Sequence, residues 1–435
     1  MEARLHGGFL VSAGLSARDH TRAGWRVCDH QPTNQKEREN RMGNRTTSMA
    51  ADILPRNRGV RFIVLLGIVS LFGDMTYEGA RGFIGPYLAV LGASATAVGF
   101  IAGFGELIGY GLRLLSGYLS DRTGRYWAIT IFGYVVNLFA VPLLALAGSW
   151  QVAAVLIIVE RMGRGIRTPA RDAMLSHAAS QTGVGWGFGL HEALDQIGAV
   201  LGPLIVSAVL YLGAGYQASF AMLVLPAILS VSMLLSARAQ YPRPHELETA
   251  PAQVSTEGMS RTYWIYLAGV VFIAAGYADF ALIAYHFGKA HTVGLAWIPA
   301  LYALAMATDA IAALVLGRAF DRFGIRVVMF AASAAVLAVP LAFLGGPAAA
   351  VAAMALWGVG MGGQESVMRA AIAKLSPHER RGAAYGIFNA TYGVAWFGGS
   401  ALLGILYDQS IPLMVAVSIL LQIVSLPILW SIKRA

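Results

Sequence analysis

From residue 62 onward the chain is a succession of apolar runs of about 20 residues separated by short polar breaks. A helix of that length, rising ~1.5 Å per residue, crosses a bilayer core of ~30 Å. The runs fall near 62–91, 95–118, 127–147, 150–172, 185–212 and 217–237, and again near 263–287, 293–316, 327–345, 348–371, 383–407 and 411–432. Twelve transmembrane helices are predicted. Between the two sets lies a polar stretch, 238–262, with Pro242, Pro244 and Pro251, which reads as a cytoplasmic linker between two six-helix bundles, 59–237 and 263–435. Residues 1–58 are polar and Arg-rich, lack the apolar segment of a secretory signal, and read as a disordered cytoplasmic tail. Met49 is a candidate translation start, which would leave 1–48 outside the mature protein.

Composition excludes the soluble alternatives. Hydrophobic residues make up 57% of the 435 and charged residues 13%, against roughly 25% charged in a soluble domain. The net charge of +9 is explained by where the bases fall. Arg122, Arg125, Arg238, Arg243, Arg261, Arg318, Arg322, Arg326, Lys374, Arg380, Arg381, Lys433 and Arg434 sit in loops of one side, and Lys289 is the exception on the other. Basic loops face the cytoplasm, so both termini are expected there, in a multi-pass protein of the cytoplasmic (inner/plasma) membrane with no nucleic-acid partner. The single cysteine, Cys28, excludes a disulfide framework and any Cys-based metal site.

The two sets repeat each other. Gly117, Asp121, Arg122 and Gly124, followed by Arg125, recur in register as Gly317, Asp321, Arg322 and Gly324, followed by Ile325. Gly165 with Arg171 is echoed by Gly363 with Arg369. An equal number of spans precedes each copy, so the repeats share one orientation, with a binding site expected near the midplane between them.

On these residues the chain resembles the major facilitator superfamily over about 60–435. Gly117-Tyr-Leu-Ser-Asp121-Arg122-Thr-Gly124-Arg125 matches that family's G-x-x-x-D-R-x-G-R/K loop signature, and the second copy departs at Ile325, although Arg326 follows. Arg161-Met-Gly-Arg164-Gly165 is similar to the R-x-x-q-G motif of proton-coupled members, with Arg164 replacing Gln. Gly198-Ala-Val-Leu-Gly202-Pro203 is similar to the G-x-x-x-G-P motif of 12-span drug–proton antiporters, without its later glycines. The resemblance implies an all-α membrane fold of two pseudo-symmetric six-helix bundles and transport by alternating access. It associates Arg161 and acids on the first span with proton coupling.

Charges inside the spans are costly, about 2.5–3.5 kcal/mol each on insertion scales, so they need partners or a wet cavity. Span 1 holds Asp74, Glu78 and Arg81 on one face; span 4 holds Glu160, Arg161, Arg164 and Arg167; span 5 holds His191, Glu192 and Asp195. Spans 2, 7, 8 and 10 add Glu106 and Arg113, Asp279, Asp309, then Gln364, Glu365 and Arg369. Depth along each helix places Asp74, Arg161 and Asp195 at ~16–18 Å from the inner ends, where they are expected to meet, and pairs Glu192 with Arg164 at ~12 Å. Glu365 and Arg369, one turn apart, are set for a local pair. Asp121, Arg122 and Arg125, in the loop turned by Gly117 and Gly124, form a candidate latch with Asp172, to which Asp321 and Arg322 of the second copy also belong, and Gly198, Gly202 and Pro203 a bend or close-packing point in span 5. Trp297, Trp357 and Trp396, with Tyr110 and Phe388, are candidate cavity residues, although core packing is the commoner role for such rings.

The expected function is secondary transport of a small molecule, driven by protons, without a cofactor, in a functional monomer. Proton coupling is assigned to Asp74, Glu78, Arg161 and Asp195, and the substrate cavity to Arg81, Glu192, Asp279 and Glu365. Efflux of an amphipathic organic compound leads; import of an organic acid with protons, held by Arg81, Arg161 or Arg167, is the alternative. A receptor or enzyme on the same scaffold has no nucleotide loop, nucleophile motif or metal-spaced set to support it.

Overall fold

The computed structural model describes residues 35–179, 184–242, 258–376 and 381–432. The chain divides into two units, Met1–Ile53 and Leu54–Ala435. Of the expected tail, 1–34 lie outside the described residues, as do 243–257 of the expected linker. Residues 35–58, expected to be disordered, are helical. Good helix formers, among them Lys36, Glu37, Arg38, Glu39, Arg41 and Met42, open that stretch, and their propensity needs no apolar face.

Twelve helical segments follow in order: α1 (Gln35–Arg81, then Ile84–Val90), α2 (Ala95–Thr123), α3 (Tyr126–Leu143), α4 (Trp150–Ala179), α5 (Val184–Tyr211) and α6 (Gly215–Met222, then Val224–Gln240). The second half has α7 (Arg261–Gly276, then Phe280–Lys289), α8 (Trp297–Phe323), α9 (Ile325–Leu344), α10 (Pro347–Gly362, a π turn Gly363–Met368, then Arg369–Leu375), α11 (Arg381–Gln409) and α12 (Ile411–Ser431). Among the described residues ten segments are long and apolar enough to cross a membrane. The other two expected crossings are α4 and α10. Helix α4 carries Glu160, Arg161, Arg164 and Arg167 within its first 18 residues, and the regular first part of α10 is 16 residues long before the π turn. Both departures fall where polar groups enter the membrane interior. Large apolar side chains such as Leu146, Leu212, Leu314 and Phe132 point outward, as lipid-facing positions of a multi-pass protein do.

Local chemistry sets the breaks. Ser94 caps α2, accepting from the Ala97 amide at 3.2 Å, and Gly124 ends that helix at φ +64°. Gly324 ends α8 at φ +58°, so the two copies of the repeated loop turn at the same glycine through a positive φ that a Cβ disfavours. Helix α1 is interrupted after Arg81 and α7 after Gly276, where Asp279 restarts it by accepting from the Ala281 amide at 2.8 Å. Interruptions in corresponding helices of two repeats mark a binding site between them.

The halves are joined most closely at the end opposite Arg122 and Arg322. There Tyr285 donates its hydroxyl to the Ala93 carbonyl at 3.2 Å, and Ser207 to the Ala296 carbonyl at 2.6 Å. Asp408 of α11 accepts from the Ala95 amide (3.2 Å), the Thr96 amide (2.8 Å) and the Thr96 hydroxyl (2.7 Å). This carboxylate caps the N-terminus of α2 from the other half, where the helix dipole favours negative charge. Asp408→Ala is expected to weaken that closure by about 1 kcal/mol, raising the thiol-labelling rate of a cysteine placed at buried Val98 about fivefold. An unchanged rate would show that the cap does not hold this end shut.

Candidate functional site

The charges of α1, α2 and α4 converge at the centre of the first half. On α1, Arg81 Nη1 donates to Glu78 Oε1 at 3.2 Å, and Arg81 Nη2 bonds Glu106 of α2. Glu106 also lies 3.4 Å from Arg161 Nη1, and Arg161 Nε lies 3.3 Å from Glu160. Glu160 in turn accepts from Asn137 Nδ2 of α3 at 2.8 Å. Arg164 approaches Glu78 at 3.7 Å. From the other half, the Tyr302 hydroxyl donates to Glu78 at 2.5 Å. The outcome is a string of alternating charge, Arg164–Glu78–Arg81–Glu106–Arg161–Glu160, with three cations against three anions. Mutual pairing is what makes such burial tolerable.

Beside the string lies a small cavity of ≈ 70 Å³ between the halves, with Arg81, Glu106, Tyr110, Arg113 and Arg164 on one wall and Gln364, Glu365, Arg369, Phe388, Tyr392 and Trp396 on the other. Exposure rises toward the end with the basic loops: Arg161 is buried, Arg81 and Glu106 half-buried, Glu365 and Arg369 exposed. Helices α5 and α8 touch from Ser207 and Ala296 to Gln196, which hydrogen-bonds Asp309, and beside that contact lies a cleft lined by Glu192, Gln196, Glu365 and Arg369.

Several expected pairings are not made. Arg161 does not join Asp74 and Asp195; it faces α2 and pairs with Glu106. Depth along an axis does not fix direction around it, and Arg164, three residues on, is the one turned toward α1. Asp74 and Asp195 do come within electrostatic reach of each other, with Arg167 and Arg164 as the nearby cations. Each of the two acids has an oxygen, Oδ1, without a hydrogen bond. Arg167, 1% exposed, lies 4.2 Å above the Tyr134 ring and 5.5 Å from that of Tyr77, so ring faces help hold its charge. Glu192 faces the α5–α8 cleft and does not pair with Arg164. Glu365 and Arg369 form no ion pair among the described residues. The intervening π turn carries more residues per turn than an α-helix, so a spacing of four no longer stacks the two side chains.

Other candidates have structural partners. Asp279 caps the second part of α7 and accepts from Trp396 Nε1 at 3.2 Å. His191 Nε2 lies 3.0 Å from the Ser70 hydroxyl. One turn brings a ligand atom each of His191, Glu192 and Asp195 within 4.8 Å, a grouping the sequence reading did not recognise. Of the rings, Trp396, Tyr110 and Phe388 line the cavity, whereas Trp357 is buried with its Nε1 donating to the Ala278 carbonyl and Trp297 is exposed.

The sequence profile described as Major Facilitator Superfamily matches residues 63–400. The chain belongs to the major facilitator superfamily. A Mycobacterium tuberculosis protein is 40% identical over 380 residues, covering 86% of this chain and 93% of its own length. An MFS-type transporter of Methanocaldococcus jannaschii is 35% identical over 151 residues, 34% of this chain and 38% of that one. Among solved structures, the nucleoside transporter NupG aligns with TM-score 0.67 at 15% identity, covering 86% of this chain and 98% of its own. A bacterial homologue of the iron transporter ferroportin in an inward-facing state aligns with TM-score 0.62 at 15% identity, covering 86% and 99%. At these identities the likeness to solved structures is one of fold.

The superfamily loop signature forms a different set of contacts from the expected latch. Asp172 is bound by its neighbour Arg171, at 3.0 and 2.8 Å, and not by Arg122 or Arg125. Arg122 donates to the Tyr118 hydroxyl (3.0 Å), and Asp121 accepts from that of Tyr126 (3.4 Å). In the second copy Asp321 lies 3.8 Å from Lys374. Gly198 and Gly202 serve close packing: a Cβ on either would strike an α1 carbonyl, that of Leu71 or Met75. Sequence reasoning noted Glu106 and Arg113 as intramembrane charges without placing them in the site, and did not find Tyr302 or the π turn at all. For Glu106 the signal was present, a carboxylate at mid-span with an arginine on span 1 and several on span 4 to answer it.

Proposed function

We propose that this superfamily member is a proton-coupled secondary transporter of a small amphipathic organic compound, working by alternating access in the cytoplasmic membrane with both termini inside. The observation that carries the reading is the ion-paired string Glu78–Arg81–Glu106–Arg161, whose Arg81 and Glu106 line the central cavity. A carboxylate held between arginines stays ionised while the pairs are intact and takes up a proton when one of them is drawn away. Substrate charge then sets the coupling. A cation would displace protons from Glu106 and exchange for them, as the efflux reading requires. An anion would draw Arg81 off Glu106 and travel with a proton. The four arginines and two glutamates round the cavity favour the second.

Proteoliposomes carrying a pH-sensitive dye, offered lipophilic cations, neutral drugs and organic acids, test both. Protein-dependent proton movement is expected with one class and absent in Glu106→Gln. Movement of labelled substrate with no accompanying protons in any class would overturn the coupling.

A further inference from the structure

Resting on that transporter reading, we infer that the cavity takes a small aromatic organic anion, its acid group seated between Arg113 of α2 and Arg369 of α10. Among the described residues these are the cavity arginines without a carboxylate partner. Arg81 and Arg164 answer to Glu78 and Glu106, whereas no acid lies within 4.0 Å of Arg113 or Arg369. Arg113 Nε is buried with no hydrogen bond, and its guanidinium lies 4.7 Å from the centre of the Tyr110 ring. The two cations are close enough to repel one another, one from each half.

Two guanidiniums without an ion-pair partner, one half-buried and one exposed on the same cavity, make its field positive and favour an anion there, and their planar forks match a carboxylate two bonds at a time. Glu365, the nearest acid in sequence, makes no ion pair with Arg369 and lines the α5–α8 cleft as well as the cavity. Arg167 is a poor alternative, since it is fully buried under two tyrosine rings.

The ring requirement comes from α11. Phe388, Tyr392 and Trp396 recur every fourth residue on one face, with ring centres 5.7 and 5.5 Å apart, and all three line the cavity. Tyr110 packs edge-on against Tyr392, 5.8 Å between centres, and extends this aromatic wall toward Arg113. A ring lying against this wall places its acid substituent toward Arg113 and Arg369, and because each half supplies one arginine, the bound anion ties the halves together.

Titration calorimetry on the full chain in detergent, with benzoate, benzamide and benzylamine at neutral pH, tests the assignment. Benzoate is expected to bind at least tenfold more tightly than either of the others, and Arg113→Gln or Arg369→Gln to weaken it about tenfold or more, leaving benzamide unchanged. Should either glutamine variant fail to fold, the lysine variants keep the charge but lose the fork and are expected to weaken benzoate severalfold. The proposal is overturned by absent benzoate binding, by tighter benzylamine binding, or by benzoate affinity indifferent to both arginines. Binding is read without a gradient, so a protein that binds benzoate in this way yet moves no protons refutes the coupling reading alone.

Discussion

Replacing Glu106 by glutamine is expected to abolish proton-driven accumulation and to destabilise the protein by about 3–5 kcal/mol, the usual cost of stranding a buried partner. Glu106 answers two cations at once, Arg81 and Arg161, whose side chains are 17% and 8% exposed. Glutamine keeps the shape and one carbonyl acceptor but removes the charge, leaving three arginines against two glutamates in the string. Arg161→Gln alone has a comparable defect of opposite sign, because Glu106 and Glu160 lose a shared cation. The double variant restores the balance, so its destabilisation is expected to fall short of the sum of the singles by about 1–3 kcal/mol, as coupled neighbours do. Thermal melting in detergent reads the cycle, and dye-loaded proteoliposomes read the coupling. Additive single effects would mean that the pair does not interact, and proton-driven accumulation by Glu106→Gln would remove this carboxylate from the coupling path.

Architecture was legible in the sequence because it is written in long-range averages. Twenty-residue apolar runs and a duplicated Gly-x-x-x-Asp-Arg-x-Gly loop are insensitive to the direction of any single side chain. Pairing in the site was less legible, because it depends on rotation about each helix axis, where one residue is worth 100°. Depth brought Arg161 to the level of Asp74, yet Arg161 turns to α2 and Glu106, while Arg164 turns to α1. Asp74 and Asp195 do share a neighbourhood, because α1 and α5 touch through Gly198 and Gly202. The local pair expected of Glu365 and Arg369 failed for another reason: their spacing assumes an α-helix, and the segment is a π turn. Nothing in Gly363-Gln364-Glu365-Ser366 announces that turn. Tyr302 was missed because a tyrosine in an apolar run reads as packing until a carboxylate is found opposite its hydroxyl.

The contact that aligns those helices carries the second large effect, and Gly202→Val is expected to prevent the native packing of α1 on α5. A Cβ at Gly202 would meet the Met75 carbonyl, and one at Gly198 the Leu71 carbonyl. The two glycines and the two carbonyls are each four residues apart, so one turn of α5 lies directly on one turn of α1, in the small-x-x-x-small manner of membrane helices. From the other side, a Cβ on Gly79 would lie 3.3 Å from the Gly202 carbonyl. Because the obstacle is backbone, no rotamer relieves it and the helices must separate. Overpacking typically costs about 1–3 kcal/mol and more where nothing can yield, so alanine is expected at the lower end and valine beyond it. Gly111 supplies the control. It is exposed on α2 with no atom within 4 Å of an added Cβ, and Gly111→Ala is expected to leave stability unchanged or raise it by up to about 1 kcal/mol. Separation of α1 from α5 would also part Asp74 from Asp195 and tilt Glu78 and Arg81 away from Glu106. Gly202→Ala is therefore expected to lose transport before it loses folding, a divergence that melting and proton-flux assays on the same preparation resolve. Equal melting temperatures for Gly202→Val and wild type would show that the two helices are held by other contacts.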